Sequence, residues 1–369
     1  MRGFGWNLPV QVRFDVGAVD LALADAAGRD VIVIAFQGAS SCDGLVRWVE
    51  AWATAVLAWV ELPDGLPTPE MVRKVAAQVW PRLAVAAAPL VVAIGGGAVM
   101  DVAKWVRCVA PDRLPASLDA LVSLPVLPRG WQHHELWMLP TTAGTGSEVT
   151  RWSTLWDVDA TIPAKLSFDQ PYGYANRAYI DPQLTLSCPP AVVRDSALDA
   201  LGHALEVMWN RHRNPLSMAL AALAAARIIK HLPVALQDLR QLGARCQLSL
   251  AALEAGAAFS QTRTALAHAA SYSLTLTQGV AHGAAVAVWL PAVWQLACGR
   301  QPETDAALAS VFGGTAEHGA AQLRTWLADI GFDLTLGSLG IGDPQQVLAA
   351  ALNSPRGLNF VESGHDVSA

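Results

Sequence analysis

The stretch Leu90-Val-Val-Ala-Ile94-Gly95-Gly96-Gly97-Ala98-Val-Met-Asp101-Val-Ala-Lys104 constrains the fold more than any other. An apolar, β-branched run with no polar alternation reads as a strand buried on both faces, which is a property of parallel sheets. A triple glycine then turns directly into a helical pattern. Strand, glycine turn and helix in that order let backbone N–H groups approach a pyrophosphate at the helix N-terminus. Met100 stands where the usual G-x-G-x-x-G pattern has its last glycine, so the turn alone is compatible with a structural or a phosphate-binding role.

Residues 1–184 continue this pattern and read as one α/β domain. Val10–Phe14 and Asp30–Ala35 are read as strands, Cys42–Val60 as a helix. Thr68-Pro69 starts a second helix, with Thr as N-cap and Pro in the first position, running to about Trp80. Leu136–Leu139 is a short strand that leads into Pro140-Thr141-Thr142-Ala143-Gly144-Thr145-Gly146-Ser147-Glu148. Hydroxyls interleaved with glycine suit sugar and phosphate oxygens, so two such turns, each after a strand, point to a nucleotide site. Arg151–Trp156 and Ala178–Ile180 are further strands, and the domain boundary is placed near Leu184.

Residues 185–369 read as all-helical: Val192–Trp209, then about 215–231, 243–260, 263–275, Ala281–Cys298, 303–331 and 345–352. Residues 354–369 read as a tail in which Leu358-Asn359-Phe360 can pack. Asp199 and His203 lie at i and i+4 of the first of these helices and share one face. Their neighbours are Ala197, Leu198, Ala200, Leu201, Ala204 and Leu205, so a buried carboxylate there needs a cation. A buried Asp–His hydrogen bond is the alternative. His268 and His282 also sit in apolar helical contexts. One carboxylate and three imidazoles make an N/O set suited to a divalent first-row metal. His133, His134, His212, His231, His318 and His365 carry no such context.

Bulk composition excludes other classes. The chain is 53% hydrophobic and 15% charged, which is ample for large cores and subunit contacts and unlike a disordered chain. Net charge is −6 with no basic tract, so nucleic acid is not the expected partner. No uninterrupted run of about 18 apolar residues suggests a membrane span, and the N-terminus has no signal-peptide core. Cys42, Cys108, Cys188, Cys246 and Cys298 are scattered and odd in number, as expected of thiols in a reducing cytoplasm.

With these motifs assembled, the chain resembles the iron-dependent (group III) alcohol dehydrogenases over nearly its whole length. The resemblance is carried by Gly95–Lys104, Pro140–Glu148, Asp181-Pro-Gln-Leu-Thr-Leu-Ser187, Asp199-Ala-Leu-Gly-His203-Ala-Leu-Glu206 and His268…His282-Gly283. It implies an N-terminal Rossmann-like domain, an all-helical C-terminal domain of dehydroquinate-synthase-like architecture, and a cleft between them. It implies Fe²⁺, with Zn²⁺ as the alternative, on Asp199, His203, His268 and His282. It also implies NAD(H) or NADP(H), with Gly95, Gly96, Gly97 and Ala98 at the pyrophosphate and Asp101 seating the cofactor. Thr141, Thr142, Thr145 and Lys165 would hold the ribose and nicotinamide side. A cytoplasmic homodimer acting on a small aldehyde or alcohol is the corresponding expectation.

Within that family, Trp152–Asp157, Glu206-Val-Met-Trp209-Asn210-Arg-His-Arg-Asn214-Pro215 and Phe259-Ser-Gln-Thr-Arg263-Thr-Ala-Leu-Ala-His268 are similar to the phosphonate-metabolism branch, the phosphonoacetaldehyde reductases. Arg263, five residues before His268, would then line the site and bind a phosphonate; a surface arginine paired with a carboxylate is the alternative. Two departures stand out. Many members carry a proton-relaying His four residues after the third ligand, where this chain has Tyr272. Strand two ends Ala35-Phe36-Gln37-Gly38 without the acidic residue that often holds the adenosine ribose, so nothing in that strand repels a 2′-phosphate. Competing readings are a dehydrogenase of the same fold for another short-chain aldehyde, a diol or maleylacetate, and a dehydroquinate-synthase-like lyase.

Overall fold

The structure is a computed structural model that describes residues 3–42, 45–46, 50, 56–86, 88–123, 126–158, 160–161 and 164–361. It divides into two units. One comprises Leu8–Thr142 and Ser147–Cys188; the other takes residues 3–7, Ala143–Gly146 and 189–361. The chain therefore changes unit at residue 189. The middle of the threonine–glycine turn groups with the helical unit rather than with the strands that flank it.

The first unit is built on six parallel strands: β1 (Gln11–Phe14), β2 (Val31–Phe36), β3 (Val56–Leu62), β4 (Leu90–Gly95), β7 (Glu135–Pro140) and β10 (Arg177–Ile180). Their spatial order is β1-β10-β7-β4-β2-β3. Val31, Val33, Ala35, Leu90, Val92, Ile94, Trp137 and Leu139 share one buried cluster with Ala18 and Ala22 of helix α1 (Ala18–Asp25). Ile32, Ile34, Val91, Ala93 and Met138, which alternate with them, are also fully buried. Both faces are covered, as the unalternating apolar runs require. Two antiparallel pairs, β5–β6 (Cys108–Val109 with Gln132–His133) and β8–β9 (Trp152–Asp157 with Ala164–Asp169), stand outside the main sheet.

Helix α2 (Pro69–Leu83) starts as its sequence dictates: Thr68 Oγ1 accepts from the Met71 N–H at 3.1 Å and Pro69 opens the first turn. Helix α3 (Gly97–Val106) leaves β4 through the glycine turn. The Cys42–Val60 helix needs correction. Val56–Leu62 is a strand in register with β2, while residues 43–44, 47–49 and 51–55 lie outside the described residues. Edge position explains the misreading, because Val56-Leu-Ala-Trp-Val60 has no strict alternation when one face is only half covered.

The second unit is helical among the described residues: α4 (Pro190–Met208), α5 (Pro215–Gln237), α6 (Leu242–Thr262), α7 (Leu266–Gln278), α8 (His282–Ala287), α9 (Leu290–Ala297), α10 (Pro302–Phe312), α11 (Ala316–Asp329) and α12 (Pro344–Leu352). Two segments read as single helices are each two. Pro291 at the first turn of α9 separates it from α8, and Gly313-Gly314, both at positive φ, end α10. Helix α5 is long and apolar enough to cross a membrane by length and composition, although Arg227 and Lys230 lie in its second half. It packs against α4 and α6. Phe360 is buried and bridges to Asn210, so the Leu358–Phe360 segment does pack; residues 362–369 lie outside the described residues.

Candidate active site

Helix α4 brings Asp199, His203 and Glu206 to one face, at i, i+4 and i+7. His268 comes from the first turn of α7, and His282 is the first residue of α8. The three imidazole Nε2 atoms converge on Asp199 Oδ1, at 3.9 Å from His203, 3.4 Å from His268 and 3.9 Å from His282. Two donors about 2.1 Å from a common tetrahedral centre are about 3.4 Å apart, so these spacings suit a shared metal ion. The rings are held by packing: His203 stacks between Phe259, 4.1 Å away, and His268, 4.7 Å away. Asp199, His203 and His268 are buried, whereas the His282 side chain keeps 26% of its surface. The cup is therefore open beside His282.

Burial alone would raise the Asp199 carboxyl pKa, but His203, His268 and His282 outweigh it and hold the group well below the usual carboxylate range. Burial likewise works against a charged His268, yet Glu206 and Asp199 push it up to about 9. Two buried carboxylates on either side of one imidazole are a demand for positive charge. Asp199 Oδ1 and His268 Nε2 are buried and lack a well-formed hydrogen bond, as donors directed at a cation would. Asp199, His268 and His282 bring one ligand atom each within 4.8 Å of one another, which fits a divalent metal; His203 stands outside that close group, with Nε2 3.9 Å from Asp199 Oδ1.

Glu206 had no role assigned from sequence. It is fully buried, and its carboxylate accepts from His268 Nδ1 at 2.8 Å and from the backbone N–H groups of Ala265, Ala267 and His268. Its i+7 spacing from Asp199 was the available signal. Asn210 Nδ2 donates to the Arg263 carbonyl and Asn359 Nδ2 to the Thr264 carbonyl. Three polar side chains thus fix the linker between α6 and α7, and with it His268.

In the strand unit, β4 ends at Gly95, and α3 begins behind Gly96 without a side-chain cap. Its first N–H groups are therefore available to an anion. A Cβ on Gly95 would lie 2.5 Å from Val99 Cγ2, and one on Gly96 would lie 3.2 Å from Thr142 Oγ1. The two turns touch at Gly96 and Thr142, and it is Val99 of α3 that leaves no room for a side chain at Gly95. Asp101 ties them together further on: its carboxylate accepts from the Ser147 hydroxyl and the Thr154 N–H, both at 2.8 Å. Lys104, fully buried, donates to Ser147 Oγ and to the Trp152 carbonyl. Burial lowers the Lys104 pKa to about 8 and raises that of Glu148 to about 6. Asp101 and Lys104 thus act on the turn itself.

Thr141 is buried at the end of β7 and its N–H donates to the Gly95 carbonyl. Thr145 belongs to the part of the turn that groups with the helices, where Gly144 packs on Ser196 and Gly146 on Gly256. Lys165 lies on β9 with its ammonium 5.3 Å from the Trp156 ring centre. Tyr272, half-buried, is one turn beyond His268 on α7. Arg263 requires correction: it is not on the His268 helix but at the end of α6, exposed, with φ 67° and ψ 174°. A turn that breaks the helix replaces the expected continuous helical face.

The sequence and the fold both have known relatives. Residues 9–182 match the iron-containing alcohol dehydrogenase family, and residues 193–356 match the C-terminal part of the Fe-containing alcohol dehydrogenase family. A choline dehydrogenase of Bacillus subtilis is 33% identical over 253 residues, 67% of this chain and 62% of that protein. A phosphonoacetaldehyde reductase of Streptomyces viridochromogenes is 34% identical over 235 residues, 63% of this chain and 58% of that protein. The match thus spans about three fifths of these curated relatives. The crystal structure of a sulfoacetaldehyde reductase from Bifidobacterium kashiwanohense in complex with NAD⁺ superimposes with a TM-score of 0.86 at 26% identity, covering 98% of this chain and 96% of that one.

Proposed function

Because the chain belongs to the iron-containing alcohol dehydrogenase family, we propose that it reduces a small aldehyde with an anionic tail to the primary alcohol, most specifically phosphonoacetaldehyde to 2-hydroxyethylphosphonate. The observation that carries this reading is the convergence of three imidazoles on Asp199 Oδ1 in a cup backed by Glu206.

Asp199, His203, His268 and His282 would hold Fe²⁺, or Zn²⁺ with the same donor set. A divalent ion bound there supplies Lewis acidity to a carbonyl oxygen, and a nicotinamide dinucleotide supplies the hydride. The chain's own residues do the rest. Backbone N–H groups of Gly96, Gly97 and Ala98 cradle the pyrophosphate, and Thr141, Thr142, Thr145 and Lys165 hold the ribose and nicotinamide side. The Tyr272 hydroxyl, directly or through water, delivers the proton to the product oxygen. With a reference pKa of about 10 the phenol is protonated at neutral pH, so it can donate a proton but offers less general base than the histidine common at this position. Arg263 pairs with the phosphonate. Its positive φ is a strained conformation for a side-chain-bearing residue, of the kind retained where a fixed side chain has a task. A sulfonate tail presents similar charge, and the resemblance to a sulfoacetaldehyde reductase supports that second reading. The reading takes the protein to be a cytoplasmic homodimer.

A panel of phosphonoacetaldehyde, sulfoacetaldehyde, propanal and a cationic aldehyde, assayed with metal analysis of the same sample, tests it. Phosphonoacetaldehyde should have the highest kcat/KM, and Arg263→Ala should raise its KM while leaving propanal little changed. Equal effects on both, or a preference for the cationic aldehyde, would remove the phosphonate assignment.

A further inference from the structure

Residues 37–42, which follow β2, include no acidic side chain, yet they hold a carboxylate. Glu61, near the end of β3, places Oε2 2.9 Å from the Gly38 N–H and Oε1 2.9 Å from the Ser40 N–H. Trp59 Nε1 donates to Oε1 at 3.1 Å. Gly38 has φ 84°, the left-handed conformation that lets the turn fold over this carboxylate. Burial would raise the Glu61 pKa, but the hydrogen bonds from Gly38, Ser40 and Trp59 more than offset it, so the group is anionic at neutral pH.

Its place in the sheet gives the carboxylate meaning. The chain leaves β2 for β3 on one side and leaves β4 for β7 on the other, so the topological switch point lies between β2 and β4. In open α/β sheets, ligands bind outside the carboxyl ends of the strands at that point, with the ribose beside the strand next to the pyrophosphate turn. The register puts Ile94, Ala35 and Glu61 in one row across β4, β2 and β3. Glu61 is thus two strand spacings, about 10 Å, from the end of β4.

Resting on the dinucleotide reading above, we infer that Glu61 is the specificity-determining residue for the adenosine ribose: it accepts from a ribose hydroxyl and excludes a 2′-phosphate, making the protein selective for NAD(H) over NADP(H). Two effects act together. The carboxylate repels the added phosphate, and it already occupies the Gly38 and Ser40 N–H donors that would otherwise neutralise one. The sequence reading considered the end of strand two alone, which has no acidic residue; this carboxylate arrives from the neighbouring strand.

The test is direct titration of the full-length protein with NAD⁺ and with NADP⁺, without substrate, by calorimetry. The unsubstituted protein should bind NAD⁺ at least about tenfold more tightly than NADP⁺, since like-charge juxtaposition is costly. Glu61→Gln, which keeps an acceptor oxygen and loses the charge, should narrow that ratio by tightening NADP⁺; Glu61→Ala, which also frees the two N–H groups, should narrow it further. If Glu61→Ala does not fold, Glu61→Gln decides alone. Equal affinities in the unsubstituted protein, or an unchanged ratio in a folded Glu61→Gln, would overturn this inference and leave the dehydrogenase reading intact. Failure of both dinucleotides to bind would overturn both.

Discussion

The Glu206 carboxylate and the His268 ring are locked together at 2.8 Å inside the helical unit, with Glu206 fully buried. An ionised carboxylate can only accept, so Nδ1 must carry the proton, and a metal ion would take the place of any proton on Nε2, which faces Asp199. The same carboxylate also caps backbone N–H groups at the start of α7. One residue therefore sets both the tautomer and the position of the imidazole.

Glu206→Gln should consequently weaken metal binding by about 10- to 100-fold, the usual cost of losing such a partner. Glu206→Ala should do the same and also lose about 1–3 kcal/mol of stability for each buried N–H left unpaired. Metal content after dialysis against a graded chelator, with urea unfolding of the metal-free forms, separates the two effects. Unchanged metal affinity in Glu206→Gln would show that the contact is structural only.

The residue after His282 has no room for a side chain. A Cβ on Gly283 would lie 1.8 Å from the Asp195 carbonyl oxygen and 3.1 Å from Asp199 Cβ. Gly283→Ala must push α8 away from α4 and carry His282 with it. We expect a stability loss of about 1–3 kcal/mol or more, together with weaker metal binding, since overpacking is relieved by backbone shifts. A folded variant with native metal affinity would contradict this coupling of close helix approach to ligand placement.

Glu148 supplies a pH signature. Its pKa is raised from 4.5 to about 6 because burial penalises its charge, so the native state holds this proton more tightly than the unfolded chain does. Its contribution to stability is full below pH 4.5 and is lost as pH rises through about 6. By linkage that loss is about 2 kcal/mol. The stability difference between Glu148→Gln and the unsubstituted protein should move in favour of the variant by that amount between pH 4.5 and pH 7, read from urea midpoints. A difference independent of pH would show that Glu148 does not titrate in this window.

Arg263 combines an exposed guanidinium with a positive φ. Glycine adopts that conformation freely, so Arg263→Gly should cost no stability and can add about 1 kcal/mol, even as KM for an anionic aldehyde rises. Thermal denaturation alongside kinetics checks it. A variant that both unfolds more easily and loses activity toward charged and uncharged aldehydes alike would place Arg263 among structural residues.

Some of these features are legible in the amino-acid sequence. Leu90–Ile94 and Leu136–Leu139 are apolar on both faces, and only a covered parallel sheet satisfies such runs, so the α/β class followed directly. Thr68-Pro69 announced a helix start through local hydrogen bonding alone. The Asp199–His203 pair was visible because helical periodicity is itself a local rule. The edge strand Val56–Leu62 was not legible: its half-covered face weakens the period that separates strand from helix.

The amino-acid sequence by itself determined the elements whose causes lie within a few residues: the glycine turn, the helix caps and the i, i+4 pair of Asp199 and His203. Tertiary structure alone decided which distant groups meet. Glu206 finds His268 across 62 positions, and Asn210 and Asn359 pin a linker that neither adjoins. Glu61 brings to the β2 turn a charge that strand β2 lacks. These pairings depend on strand order and helix packing, which local propensity does not encode. A buried carboxylate must find its donors wherever the fold delivers them.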